Sequence, residues 1–139
     1  MRFEYDLSSA PVLRTVPDGV YILKIISSKE SKSKNGNDQI QWEYEIVEPQ
    51  NLVVEGSPVK QLFMYQTVTE KSLGFLRQLW EACEKLQIGS TSFDTTDLYG
   101  CTFGAEIVKQ PGTPEYPQEK NQIRKYFKAN NCPPTGVKS

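Results

Sequence analysis

In the decamer QIQWEYEIVE, residues 39–48, Gln39 to Ile46 alternate without a break: Ile40, Trp42, Tyr44 and Ile46 point one way, and Gln41, Glu43 and Glu45 the other. A period of two is that of an extended strand whose successive side chains leave opposite faces, so this segment predicts a strand with one dry face and one wet, acidic face. Such a strand belongs in an antiparallel sheet covered on one side, because strands of a parallel sheet are buried on both faces and read as unbroken apolar runs. The rest of the chain must supply neighbours for its edges and apolar cover for one face.

Those neighbours are legible. GVYILKIISS, residues 19–28, is rich in β-branched and aromatic residues and follows Asp18-Gly19. The tract SSKESKSKNGND after it contains Asn35-Gly36, which suits a turn needing positive φ and predicts an antiparallel hairpin. After a loop carrying Pro49, Gly56 and Pro58, VKQLFMYQTV (59–68) supplies a third strand, with Leu62 and Met64 on one face and Phe63 and Tyr65 on the other. CTFGAEIVKQ (101–110) and NQIRKYFKA (121–129) give a fourth and a fifth, joined by QPGTPEYPQEKN, which three prolines and a glycine keep irregular.

Between strands three and four the period changes. Leu73, Leu76, Trp80 and Cys83 recur at steps of three and four, widened by Phe75, Leu79 and Leu86, so a helix is expected with Thr69 as cap, Glu70 in its first turn and Gly89 as its stop. SFDTTDLYG then reads as a connector with one helical turn, in which Asp94 and Asp97 are a cap and turn pair. Three strands, one helix and two strands is the element order of an all-β, five-stranded Greek-key barrel of the OB-fold type, whose helix plugs one end. The domain is expected over residues 19–128, preceded by an irregular arm (1–18) and followed by a flexible tail (129–139), NNCPPTGVKS having little to pack.

Several chemistries lack their residues. Histidine is absent, which removes the usual general base, the imidazole triads and the commonest metal ligand. Cys83, Cys101 and Cys132 are odd in number and widely spaced, forming neither a metal knuckle nor a disulfide framework. No glycine-rich phosphate loop is present, and Glu43, Glu45 and Glu48, spaced by alternation, read as a solvated face in preference to the cation site a metal-dependent nuclease would need. The expectation is a non-enzymatic protein without cofactor or metal. No apolar run reaches the ~18 residues of a membrane helix and the N-terminus lacks a signal-peptide core, so it is expected in the cytoplasm, away from membranes.

The net charge of −1 conceals local excesses. Lys29, Lys32 and Lys34 face only Glu30 in the first hairpin, and Lys109, Lys120, Arg124, Lys125 and Lys128 face only Glu115 and Glu119 around the last one. In an OB-fold these two hairpins flank one groove, and basic walls on a groove attract phosphates and release counterions. Exposed rings beside lysines offer sequence-tolerant stacking for unpaired bases. The expected site is therefore Lys29, Lys32, Lys34, Lys120, Arg124 and Lys125 on phosphates, with Tyr65, Tyr116 and Tyr126 on bases, and single-stranded DNA as ligand. A protein-interaction barrel, an adaptor or an inhibitor of a host enzyme, is the alternative. An unpaired strand edge leaves a homodimer open.

GVYILKIISSKESKSKNG, QIQWEYEIVE, QLFMYQTVTEKSLGFLRQLWEAC and DLYGCTFGAEIV together resemble a family of short bacteriophage proteins catalogued as a domain of unknown function and regarded as single-stranded-DNA-binding-like. The shared features are a Thr-rich corner before the helix, its leucine spacing, and a Leu-x-Gly turn into strand four, over about residues 19–128. The resemblance implies a role in phage DNA replication or recombination, presenting single strands to partner proteins of those processes. Many such binders end in an acidic, aromatic-tipped tail, whereas this chain ends neutral to basic.

Overall fold

The structure, a computed structural model, describes residues 1–4, 15–32, 36–54, 56–89, 92–111 and 120–137. β1 (Gly19–Lys32) and β2 (Asp38–Glu48) form the expected antiparallel hairpin, and Gly36 in its turn has φ +80°, a conformation that glycine adopts without strain. β5 (Gln61–Val68) lies on the far side of β2, and β6 (Thr102–Gln110) and β7 (Lys120–Lys128) complete the order β5-β2-β1-β6-β7, every neighbour antiparallel. Helix α1 (Leu73–Ala82) connects β5 to β6.

The expectation of five strands is corrected in two places. The loop over Pro49–Pro58 carries a two-stranded ribbon, β3 (Val53–Val54) and β4 (Ser57–Pro58). Residues 129–137, expected to be a flexible tail, continue from a short 3-10 turn (Ala129–Asn131) into β8 (Gly136–Val137), which pairs with Gly19 and Val20 and makes the sheet six-stranded. β2 reaches only to the level of Ile22, so the start of β1 has an open edge, and β8 fills it. The close approach needs a hydrogen at position 19, since a Cβ there would stand 2.4 Å from the Gly136 carbonyl oxygen.

The arm ahead of β1 is also tied down where it is described. Val16 is fully buried, its N–H donates to Asn121 Oδ1 at 2.8 Å, and Asn121 Nδ2 donates back to its carbonyl at 2.9 Å. The Tyr21 hydroxyl donates to the Pro17 carbonyl at 2.6 Å, and Asp18 accepts from the Lys109 N–H at 2.7 Å.

The helix is shorter than its apolar stripe. Ser72, not Thr69, is the N-cap, and without a side-chain cap bond to the helix: its hydroxyl turns back to accept the Thr69 N–H at 2.8 Å and to donate to the Thr67 carbonyl. At the other end Glu84 enters the left-handed region at φ +58°; its N–H bonds the Glu81 carbonyl and the Lys85 N–H bonds the Trp80 carbonyl, both at 3.0 Å. That is a Schellman closure with glutamate in the seat usually held by glycine, so the chain leaves the helix five residues before Gly89. Asp94 does cap the 3-10 turn Thr95–Leu98, accepting from the Thr96 N–H at 3.0 Å and the Thr96 hydroxyl at 2.8 Å.

Register puts the alternation of residues 39–48 to use. Tyr21, Leu23 and Ile25 of β1, the four apolar residues of β2, Leu62 and Met64 of β5, Phe103, Ala105 and Ile107 of β6 and Ile123 of β7 all turn inward, where Leu76, Leu79 and Trp80 of α1 meet them. Trp42 is the hub, stacked on Tyr44 at 6.3 Å and edge-on to Trp80 at 6.2 Å. A register shift at Ile25/Ser27 leaves Ile26 as a bulge that bends β1 where β6 stops pairing with it.

Candidate nucleic-acid interface

Residues directly across an antiparallel pair share a face, so the registers define rows on the outside of the sheet. One row runs Lys29–Gln41–Tyr65, the next Ser27–Glu43–Phe63, the next Lys24–Glu45–Gln61. Tyr65 is 62% exposed, Phe63 is half-buried and Lys29 is exposed.

The two ends of this sheet also meet. Gln66 of β5 accepts the Trp42 indole N–H on its side-chain oxygen at 2.9 Å and hydrogen-bonds the Tyr126 side chain of β7 through the rest of its amide. Following the antiparallel pairings round, β5 and β7 run in the same direction. Gln66 and Tyr126 are the inward contact, so their predecessors Tyr65 and Lys125 both turn outward on either side of the seam. Lys125 is level with Glu106 and Val20 on the outer face. Tyr65 thus lies two strands from Lys29 in one outer row. Neither lysine forms an ion pair among the described residues.

The structure sorts the expected site residues. Lys29 and Tyr65 share one outer row through Gln41, and Lys125 is exposed on β7, level with Glu106. Arg124 is exposed on the same strand as Lys125, with its guanidinium 3.9 Å from the Glu106 carboxylate. Lys32 pairs with its cross-strand partner Asp38, and both are largely exposed. Lys120 opens β7 opposite Gln110. Lys34 and Tyr116 lie outside the described residues.

Tyr126 is a correction. Its ring packs inside, stacked on Phe103 at 5.9 Å, and burial pushes its hydroxyl up to about 12 despite the opposing Gln66 bond. An apolar pattern NQIRKYFKA read with strict alternation puts Tyr126 outward when Ile123 is inward; the register shift at Glu106/Ile107 changes the phase.

The turns of the two basic hairpins, residues 33–35 and 112–119, lie outside the described residues, so only their roots are placed. Lys32 stands at one end of β1, level with Val68 at the end of β5, whereas Lys120 and Gln110 lie beyond Gly19 at the other end. Their roots bracket the Phe63/Tyr65 surface from opposite ends of the strands. The acidic residues share that surface: Glu43 is directly opposite Phe63, and Glu45 is opposite Lys24. Lys24 and Gln41 are surface members that the charge clusters did not single out, although alternation with Leu23 and Ile25 already turned Lys24 outward. Among the described residues no three His, Cys, Asp or Glu side chains converge, and no helix is long and apolar enough to cross a membrane.

Residues 3–103 match the family described as "Protein of unknown function (DUF669)", and the chain belongs to that family. No curated protein matches it.

Proposed function

We propose that this DUF669 member binds single-stranded DNA along the outer face of β2 and β5, on a barrel of OB-fold type. The barrel reading rests on the strand path, on the helix lying between β5 and β6, and on the Gln66–Tyr126 contact that joins the sheet's two ends. The single observation that carries the ligand is the exposed Tyr65 ring in one outer row with Lys29, which forms no ion pair among the described residues. A flat face takes any base, and the ammonium group takes a phosphate beside it, so binding has little sequence preference and loosens with salt. Gln41, in the same row, offers a neutral donor and acceptor to a base edge or phosphate. Protection or presentation of single strands in phage DNA replication or recombination, in the host cytoplasm, is the cellular role this binding would serve.

One observation favours a second reading, a protein-interaction barrel: Glu43 sits against Phe63, and Glu45 follows it on the same face. Anisotropy of labelled oligothymidine separates the two. The single-strand reading expects micromolar or tighter binding that weakens steeply between about 50 and 200 mM salt. No salt-sensitive binding, together with a partner recovered from nuclease-treated extract, would replace it with the protein-interaction reading.

A further inference from the structure

Two of the cysteines, far apart in the chain, face each other in the fold. Cys101 stands two residues before the fully buried Phe103, so strand alternation turns both side chains towards the inside of the sheet. Its backbone is held on both sides: the Ile25 N–H donates to its carbonyl at 2.9 Å, and its own N–H donates to the Leu98 carbonyl at 3.0 Å. Cys83 closes α1, four residues after Leu79 and three after Trp80, and is buried on the same helix face as they are. The end of the helix and the start of β6 meet at these two residues. Their thiols are within hydrogen-bonding reach of one another, and Cys101 packs against the core cluster that contains Cys83. Cys132 lies on the other face of β6, since a Cβ on Gly104, the outward neighbour of Phe103, would stand 2.5 Å from its Sγ.

The two sulfurs differ in what can reach them. Burial, with Cys101 beside it, pushes the Cys83 thiol up to about 12, so this sulfur stays protonated in the folded chain. Cys101 is only half-buried, and a small reagent arriving from solvent meets it first. A metal lacks ligands here, because among the described residues no third Cys, Asp or Glu joins the pair.

We propose that Cys83 and Cys101 form a dithiol oxidised by hydroperoxides, a modification site at which the end of α1 becomes covalently joined to the start of β6. The Cys101 thiolate attacks one oxygen of hydrogen peroxide, the O–O bond breaks, and the departing hydroxide takes up the proton that Cys101 gave up. The sulfenic acid formed on Cys101 is then displaced by the Cys83 sulfur: the S–S bond forms, the S–O bond breaks, and the Cys83 proton leaves with the hydroxyl as water. Two thiols and one peroxide give one disulfide and two waters. The bond closes the chain between the two residues into a loop and constrains the segment that carries the 3-10 turn Thr95–Leu98. It lies inside the fold and shares no residue with the Lys29–Gln41–Tyr65 row, so it does not depend on the DNA-binding reading.

The test is graded hydrogen peroxide on the reduced, folded protein, followed by denaturation in acid with N-ethylmaleimide, intact mass and peptide mapping without reductant. The expected product has lost two hydrogens, carries maleimide on Cys132 alone, and yields a linked peptide pair containing Cys83 and Cys101 that dithiothreitol separates. Its melting midpoint rises by roughly 5 °C or more, as a closed loop of this kind provides. Cys132→Ser forms the same link as the parent, and Cys83→Ser stops at a Cys101 sulfenic acid that dimedone captures. The inference is overturned if all three thiols still take up maleimide after peroxide, if the linked peptides contain Cys132, or if the link forms only in chains unfolded in urea.

Discussion

Tyr65→Ala is the sharpest test of the proposed interface, because the structure separates this ring from the one with which the sequence grouped it. Tyr65 is 62% exposed and its cross-strand neighbour on the outer face is Gln41. Removing the ring costs the fold only a cross-strand contact of about 0.2–1 kcal/mol. A stacked base would lose about 1–3 kcal/mol, which at 1.4 kcal/mol per factor of ten weakens Kd about 5- to 150-fold. Tyr126→Phe is the matched control. It leaves the ring on Phe103 and removes the hydroxyl bonded to Gln66, costing about 1–3 kcal/mol of stability if the buried amide loses its partner. Its effect on DNA affinity should stay within about twofold, under 0.5 kcal/mol. The assay is anisotropy of labelled oligothymidine at fixed low salt, beside urea melts of the same preparations. Parental affinity in Tyr65→Ala, or a loss in Tyr126→Phe as large as that in Tyr65→Ala, would refute the placement of bases on the outer β5 surface.

Three further outcomes follow from the same geometry. Lys29→Gln and Lys125→Gln should each lower the slope of log Kd against log salt by about 0.7, the single-strand value per phosphate, while Lys85→Gln leaves it unchanged; equal slopes in all three would remove the lysines from the site. Gly104→Ala places a Cβ 2.5 Å from Cys132 Sγ and 3.2 Å from Phe127 Cβ, so residues 129–137 should undock at a cost of about 1–3 kcal/mol. Early proteolysis of the tail reports this, and adding Cys132→Ala should recover part of the loss. Burial holds the Tyr21 and Tyr126 hydroxyls near 12 against an ordinary 10, so unfolded chains shed these protons first as pH rises. Their contribution to stability is therefore complete below about pH 10 and is lost progressively towards pH 12, which urea midpoints across that range measure; a flat profile would contradict the burial of both rings.

What the sequence disclosed was set by local periodicity. The four inward residues of β2, the hairpin between β1 and β2 and the buried Leu76, Leu79 and Trp80 of the helix are patterns within a dozen residues and stand where their period puts them, whereas Leu73, Phe75 and Leu86 of the same stripe are exposed. What it withheld depends on contacts distant in the chain. β8 looked like unstructured tail because Gly136 and Val137 carry no strand signal of their own; the open edge at Gly19 and Val20 recruits them. Glu84 ends the helix against its own preference because Trp80 and Cys83 are buried on one side of the turn and the exposed Lys85 leaves on the other. Tyr126 was grouped with the exposed rings because it stands beside basic residues, and the bulge at Glu106/Ile107 that turns it inward is a property of the pairing of two strands and not of either alone.

The seam between β5 and β7 joins what the strand order separates. A flat sheet in the order β5-β2-β1-β6-β7 would hold Tyr65 and Lys125 at opposite edges, four strands apart. The Gln66–Tyr126 contact brings these edges towards each other, with Tyr65 and Lys125 each on the outer side of its own strand. The buried chain of Trp42, Gln66 and Tyr126 therefore sets the spacing of the exposed groups. Disrupting that polar link with Gln66→Leu should loosen the seam and weaken binding without touching a single exposed side chain.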